Sequence, residues 1–488
     1  MGQMWISKEN GFKIAISLIL CAALLVAPAP SPSASQESNS AQLQREVAII
    51  APLDPESDDS AERMELPKEN SDAQKIYYTD EDRKFNSISE RPGSSLIAIP
   101  STYDSRQVGR VSSVKDQGSL GTCWAFAALG AMESLLLPQE VYDFSEDHLS
   151  LNHGYALDQT TGGDYSIALA SLAAWKGPVA ESDDPYGDSE TNPDAKVLKH
   201  LQEAIILDGN IPGIKEAVMK YGAVQSSVFS PNLEYTQGVS PYYNAATYGF
   251  YYNGQENTNH DILIVGWDDA YSKSNFSLEP EGDGAFICKN SWGESFGEDG
   301  FYYVSYYDKH IGNKAIAYTR LDDIGVYDSI YQYDELGWVG QIGYRKPSAH
   351  IANIFVANSD EVLEAISFYT LGENTDYTAY VAVNPLGTDF HGKVQVASGT
   401  IQNKGYHTID LAQGISLQAG DSFAIIVEIN TPGSSTPIAA EFEDDGVWAK
   451  DVAVGINESF MSYDGSIWMD VGESLGCNVC LKAFTKQK

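Results

Sequence analysis

The sequence predicts an α+β region followed by an all-β sandwich. Two changes of texture along the chain carry that prediction. Between residues 100 and 323 helical and strand patterns alternate. From residue 324 to the end the apolar runs are short and strand-like, and turns such as NPLG, QNKG and TPGSS separate them. Size agrees, because 488 residues exceed one ordinary core and a hydrophobic fraction of 43% can fill two.

Composition narrows the class of partner. The chain carries 68 acidic against 30 basic side chains, a formal net charge of −38. Nucleic acid and anionic membranes both require basic patches, so neither is expected as a partner. The acidity is divided evenly, with net −17 on residues 100–321 and net −15 on residues 322–488. It therefore marks two solvated surfaces rather than one binding site, and basic substrates should be captured faster at low salt.

Residues 1–35 read as a secretory signal peptide. Lys8 and Lys13 precede an apolar run over residues 14–27, and Ser33, Ala34 and Ser35 supply a small-residue cleavage site. At about 14 residues the run is shorter than the roughly 20 needed to span a bilayer, so no transmembrane anchor is expected. The protein is expected to be secreted, extracellular or at the cell surface, and Cys21 leaves the mature count of cysteines. Residues 36–99 are charged and rich in Ser, Pro and Glu, with little to bury. They read as a linker or a propeptide.

The most informative stretch is VKDQGSLGTCWAFAA, residues 114–128. Gly118 and Gly121 mark a loop, and Cys123 opens an apolar, helix-forming run to about residue 137. A thiol in the first turn of a helix meets the positive end of the backbone dipole, which favours thiolate. Gln117, six residues upstream across the loop, can supply an amide donor beside the sulfur, with the Cys123 N–H as a second. A lone cysteine at a helix start is more often simply buried, and it is the company of Cys123 that argues otherwise.

A thiol nucleophile needs a base. Of eight histidines, His260 alone opens a short buried strand, with Ile262 to Val265 apolar and Gly266 expected to end it. Thirty residues on, CKNSWGESFGEDGFYYVSY supplies Asn290 to orient the imidazole and Trp292 to shield that bond from water.

In these residues the chain resembles the papain-like cysteine peptidases. The spacings, 137 residues from Cys123 to His260 and 167 to Asn290, compare with roughly 130–150 in that family. The resemblance covers residues 98–320 and includes IPSTYDSR, FSEDHLS, TGGDYS and IKEAVMKYGAVQSSV. It implies a two-lobed peptidase domain over residues 100–323, one lobe helical and the other β-barrel-like. It also implies Cys123 as nucleophile, His260 as acid/base in a resting thiolate–imidazolium pair, Asn290 as orienter and Gln117 as oxyanion donor. Gly163 matches the glycine whose backbone pairs with substrate, and Trp292 lines the site beside it. One departure is plain: Leu120 stands where the family usually has a disulfide-forming cysteine. The propeptide also lacks the family's long helical pattern. No cofactor and no metal are implied. Asp268 and Asp269 read as a solvated turn in preference to a calcium loop.

Residues 324–488 form the expected sandwich. Phe423, Ile425, Val427 and Ile429 share one face of a strand, and EAISFYTL, DYTAYVAV, KVQVASGTI and CNVCLKAFT supply others. Its place behind the peptidase resembles the lectin-like domain of some prokaryotic papain-like peptidases, which implies a glycan or cell-surface ligand. Tyr377, Tyr380, Tyr463 and Trp468 are the candidate sugar platform, with core packing the equal alternative. Cys477 and Cys480 read as packed or free thiols, with a disulfide second, and Cys288 as a packed one. Two functions compete: a secreted, zymogen-type cysteine endopeptidase with an accessory binding domain, and a non-catalytic adhesion or carbohydrate-binding protein on a retired peptidase fold. The complete set of Gln117, Cys123, His260, Asn290 and Trp292 favours the first.

Overall fold

The computed structural model describes residues 48–52, 98–231, 240–443 and 448–488. The signal peptide, the expected cleavage site and most of residues 36–99 lie outside the described residues. Ala48–Pro52 does lie within them, paired antiparallel with Gly340–Gly343.

Helix α1, Cys123–Leu136, is apolar around most of its circumference and almost wholly buried. Such a helix belongs inside a core rather than on a surface. It runs out one residue before Leu137, whose extended conformation suits the position ahead of Pro138. Two short helices flank it: α2, Glu146–Asn152, and α3, Tyr165–Ala173. Each begins on a side-chain cap, Ser145 accepting from the His148 N–H and Asp164 from the Ser166 N–H. Helix α4, Ile211–Tyr221, is amphipathic and stops at Gly222. There φ is +99°, and a Cβ would stand 2.5 Å from the Ser134 carbonyl oxygen.

α1 packs against the strand His260–Asp268, which is longer than the sequence suggests. Gly266 does not end it. The glycine lets the strand Thr102–Asp104 pass alongside, and a Cβ there would lie 2.3 Å from the Tyr103 carbonyl oxygen. On one side His260–Asp268 pairs with Val224–Val228, and on the other with Ala285–Lys289, which brings Asn290 to its end. α1, α2 and α3 pack on the face carrying Leu263 and Val265, and α4 packs on the opposite face with Ile262 and Ile264, so helices cover both faces of the sheet in the α+β region.

The all-β region is a sandwich. Its six-stranded sheet contains Ser348–Val356, Thr375–Val383, Val394–Ile401 and Ser422–Asn430. Phe423, Ile425, Val427 and Ile429 face a core shared with Leu363, Phe368 and Leu481 of the opposing sheet. That opposing sheet does not stop at the sandwich. Among the described residues it has thirteen strands and crosses from one region to the other where Lys404–Leu417 pairs with Lys199–Ile206. Beside the junction Tyr369 and Tyr406 share a core with Trp124, Leu201 and Tyr318.

Candidate active site

Four chain segments converge at the N-terminus of α1. Cys123 is its first residue, and the sulfur accepts the Asp261 N–H at 3.4 Å. The thiol thus stands against the residue that follows His260. His260 Nε2–H donates to Asn290 Oδ1 at 2.8 Å, which leaves Nδ1 as the nitrogen able to take a proton. Asn290 Oδ1 also accepts the Ser291 N–H at 2.9 Å. The Trp292 ring lies 4.8 Å from the imidazole at a 33° tilt and packs edge-on against Phe296.

Gln117 is held from two directions. Its N–H donates to the Ser291 carbonyl at 2.8 Å, and its Oε1 accepts from Ser291 Oγ at 2.6 Å. These bonds fix which end of the amide is nitrogen. One Nε2 hydrogen then goes to the Leu120 carbonyl at 2.6 Å, and the other is the donor left for a ligand. Gly163 lies against Trp124, the residue after the thiol, and a Cβ there would sit 2.7 Å from the indole nitrogen. No larger residue fits without moving that ring.

Burial sets the charge balance. It pushes the Cys123 thiol up to about 12, with the Asp261 charge adding to the effect and N–H donors opposing it. It pushes the His260 imidazole down to about 4, against the hydrogen bond to Asn290. Burial thus favours the neutral form of each group, and the resting ion pair that the resemblance implies would have to form against it. Opposite charges roughly 4 Å apart at an effective dielectric of about 20 attract by about 4 kcal/mol, equivalent to about 3 pH units. An attraction of that size works against the burial of both groups. Asp261 shares the enclosure: burial and the nearby Asp164 charge raise its carboxyl to about 6, against hydrogen bonds from Ser227 and Gln225.

Residues 99–319 match the papain family of cysteine proteases, and residues 330–485 match the lectin-like domain family. Residues 99–319 are a papain-family domain. The viral cathepsin of Heliothis zea nuclear polyhedrosis virus is 31% identical over 218 residues, which cover 43% of this chain and 53% of the cathepsin. Mouse cathepsin K is 29% identical over 219 residues, covering 42% of this chain and 59% of its own length. The chain therefore spans little more than half the length of these relatives. Both regions together match the clostridial cysteine protease Cwp84 after propeptide cleavage, with 28% identity and a TM-score of 0.71, covering 80% of this chain and all of that one. A second structure, of the cysteine protease and lectin-like domains of Cwp84 of Clostridium difficile, a surface layer associated protein, matches at 27% identity, covering 80% of this chain and 89% of its own, with the same TM-score.

The papain-family region holds itself together here without the usual disulfide. Near Leu120 the Gly121 N–H donates to the Gln159 carbonyl at 2.7 Å, and a Cβ on Gly121 would meet the Gly162 nitrogen at 2.8 Å. Close glycine packing joins the two loops. Cys123, Cys288, Cys477 and Cys480 are all buried free thiols. Asp269 is engaged by Lys215 and the Tyr306 hydroxyl rather than left as an open loop.

The lectin-like region divides the four candidate aromatics. Tyr377 packs against Phe368 toward the sandwich core, and Tyr463 against Tyr344 under Lys346. Tyr380 and Trp468 flank a smaller cluster, where Trp468 meets Phe390 edge-on. They do not form one platform. Two residues that touch Gln117 escaped sequence reasoning: Ser291, and Tyr186, whose hydroxyl donates to the Gln117 carbonyl at 2.9 Å. Ser291, next to Asn290, could have been found by asking what fixes the Gln117 amide. Tyr186 lies in an aperiodic loop that carries no such signal.

Proposed function

We propose that the protein is a cysteine endopeptidase acting on proteins or peptides outside the cell or at its surface. The observation that carries this reading is Cys123 at a helix N-terminus, its sulfur bonded by the N–H of Asp261, which follows a buried His260 whose Nε2 is tied to Asn290. On arrival of a peptide, the Cys123 proton passes to His260 Nδ1 as Sγ bonds to the carbonyl carbon. This transfer leaves the net charge of the site unchanged, so it is compatible with burial. The carbonyl oxygen takes the negative charge and is met by the Cys123 N–H and the remaining Gln117 amide hydrogen. Collapse breaks the C–N bond, and the leaving amine takes the proton from His260. Water, deprotonated by His260, then cleaves the thioester and restores the thiol. Gly163 offers its backbone to the substrate beside Trp124, and Trp292 keeps water from the His260–Asn290 bond.

The lectin-like region is proposed to hold the enzyme near a glycan or surface ligand. Cwp84, which pairs the same two regions, is a surface layer associated protein, and that supports a cell-surface setting here. Labelling with a thiol-directed peptidyl epoxide tests the peptidase reading. Modification at Cys123, together with loss of peptide hydrolysis in Cys123→Ala, is expected. Unlabelled Cys123 and unchanged proteolysis in the variant would instead favour the non-catalytic adhesion protein.

A further inference from the structure

We propose that Tyr186 is a positioning residue for the oxyanion site: its hydroxyl ties Gln117 to the residue before Cys123 and keeps the first turn of α1 open to a developing negative charge. This rests on the peptidase reading above. Thr122 is the N-cap of α1, and a threonine there ordinarily turns its oxygen back to accept an N–H of the first turn. Thr122 makes no such bond. Its Oγ1 lies 2.6 Å from Tyr186 Oη, and Tyr186 Oη lies 2.9 Å from the Gln117 carbonyl oxygen. The phenol has one proton and gives it to that carbonyl, so Thr122 is the donor in the other bond. The threonine hydroxyl is thereby committed to the tyrosine rather than to the helix.

The phenol is well placed to act as a fixed strut. Its ring packs edge-on against Phe126 of α1 at 4.9 Å. Its own N–H donates to Glu181 at 2.9 Å, and the next N–H, of Gly187, donates to Asp147 at 3.1 Å. Burial raises the phenol to about 12, so it remains a donor at working pH. Gln117 is then pinned on one side by Ser291 and on the other by Tyr186. Both proposed oxyanion donors, the Gln117 amide and the Cys123 N–H, lie at the two ends of the loop that this hydroxyl spans. Donors aimed in advance at a developing charge lose their effect when they drift.

Tyr186→Phe removes the hydroxyl and keeps the ring. For a fluorogenic peptide, kcat is expected to fall about tenfold with KM within about twofold, the scale of one or two lost hydrogen bonds. Affinity for a peptidyl aldehyde, whose adduct with Cys123 places an oxygen in the same hole, should fall by a similar factor. Alkylation of Cys123 by iodoacetamide passes through no oxyanion and should keep its rate. A kcat within about twofold of the parent overturns the proposal. So does alkylation falling in step with kcat, because Tyr186 would then only support the fold. If Tyr186→Phe does not fold, Thr122→Val breaks the same link from the other side and is read in the same three ways. The parent protein and Cys123→Ala run alongside. An inactive parent ends the peptidase reading and this inference with it, whereas an active parent with an unaffected Tyr186→Phe ends this inference alone.

Discussion

Asn290 serves two neighbours through one oxygen, accepting from His260 Nε2–H and from the Ser291 N–H. The first bond sets the tautomer of the base, and the second fixes the backbone from which Gln117 is held. Asn290→Ala should therefore lower kcat roughly 5- to 30-fold, the equivalent of about 1–2 kcal/mol. The pH profile adds a sharper expectation. His260 must be neutral to accept the thiol proton, and burial holds it at about 4. Activity should therefore persist into mild acid, with its acid limb near pH 4. The Asn290 bond raises the imidazole, so its loss should move that limb to lower pH. A limb near pH 6.5 in the parent would show a solvated imidazole instead. Cys123, His260, Asn290 and Gln117 were all accessible to sequence reasoning, because nucleophile, base, orienter and donor require particular side chains at particular spacings. Ser291 and Tyr186 each reach one oxygen of Gln117 through a hydroxyl; the place of Ser291 beside Asn290 hints at its contact, whereas nothing around Tyr186 does.

At the scale of elements, α1 and α2 are locked by charge as well as by apolar contact. Lys115 Nζ reaches Glu146 at 2.9 Å, the Phe144 carbonyl at 2.8 Å and Asp143 at 2.7 Å, while the Glu133 carboxylate on α1 takes the Phe144 N–H at 2.9 Å. Glu146 is 2% exposed and opens α2. Lys115 comes from the same loop as Gln117, so the cluster anchors the oxyanion loop to the helices behind it. Lys115→Met would leave the Glu146 carboxylate buried with its main partner gone. Burial already pushes this carboxyl up to about 8, so it would take a proton, and a destabilisation of about 1–3 kcal/mol is expected, read as a fall in the urea midpoint. A change under about 1 kcal/mol would mean that water or another cation takes over. The strands of the sandwich could be read from alternation alone. The strand from His260 could not be read to its end, because Gly266 resembles a stop until the strand Thr102–Asp104 is seen to need the space.

At the scale of the whole molecule, the two regions are joined by backbone hydrogen bonds rather than by a linker. Gly405 pairs with Ile205 across the junction at φ +150°, and a Cβ there would stand 2.1 Å from the Ala204 carbonyl oxygen. Gly405→Ala should cost about 2 kcal/mol. It should also loosen the junction, seen as faster hydrogen exchange in Lys199–Ile206. Unchanged exchange there would show that the seam tolerates a side chain. Polar and charged contacts line the same seam: Glu203 with His407 at 3.2 Å, and the ion pairs Lys404 with Asp208 at 3.1 Å and Arg320 with Asp410 at 2.8 Å. Burial pushes the Glu203 carboxyl up, but hydrogen bonds from His407 and Thr319 outweigh it and hold it below the usual range. Burial likewise pushes the Asp410 carboxyl up, but hydrogen bonds from Arg320 and Tyr327 outweigh it and hold it below the usual range. A depressed carboxyl stabilises fully above its unfolded value, near pH 4, and loses that contribution as pH falls through its folded value. Acid below about pH 4 should therefore weaken the seam, with solvent screening keeping the Asp410 share small. Small-angle scattering from pH 7 to pH 3 would register the separation, and an unchanged radius of gyration down to pH 3 would show that backbone pairing alone holds it.

The sequence by itself determined which residues are proposed for the chemistry. The Cys123 loop, His260 on its strand and Asn290 beside Trp292 are local patterns, each readable from its own residue types and spacing. It also determined that a strand-rich region follows. Only the tertiary structure decided that one sheet runs through both regions, that the four aromatics do not meet, and that Tyr186 reaches the loop before Cys123. Those facts rest on contacts between segments tens to hundreds of residues apart. Such contacts depend on shape and free space, as at Gly405 and Gly266, and a linear pattern records neither.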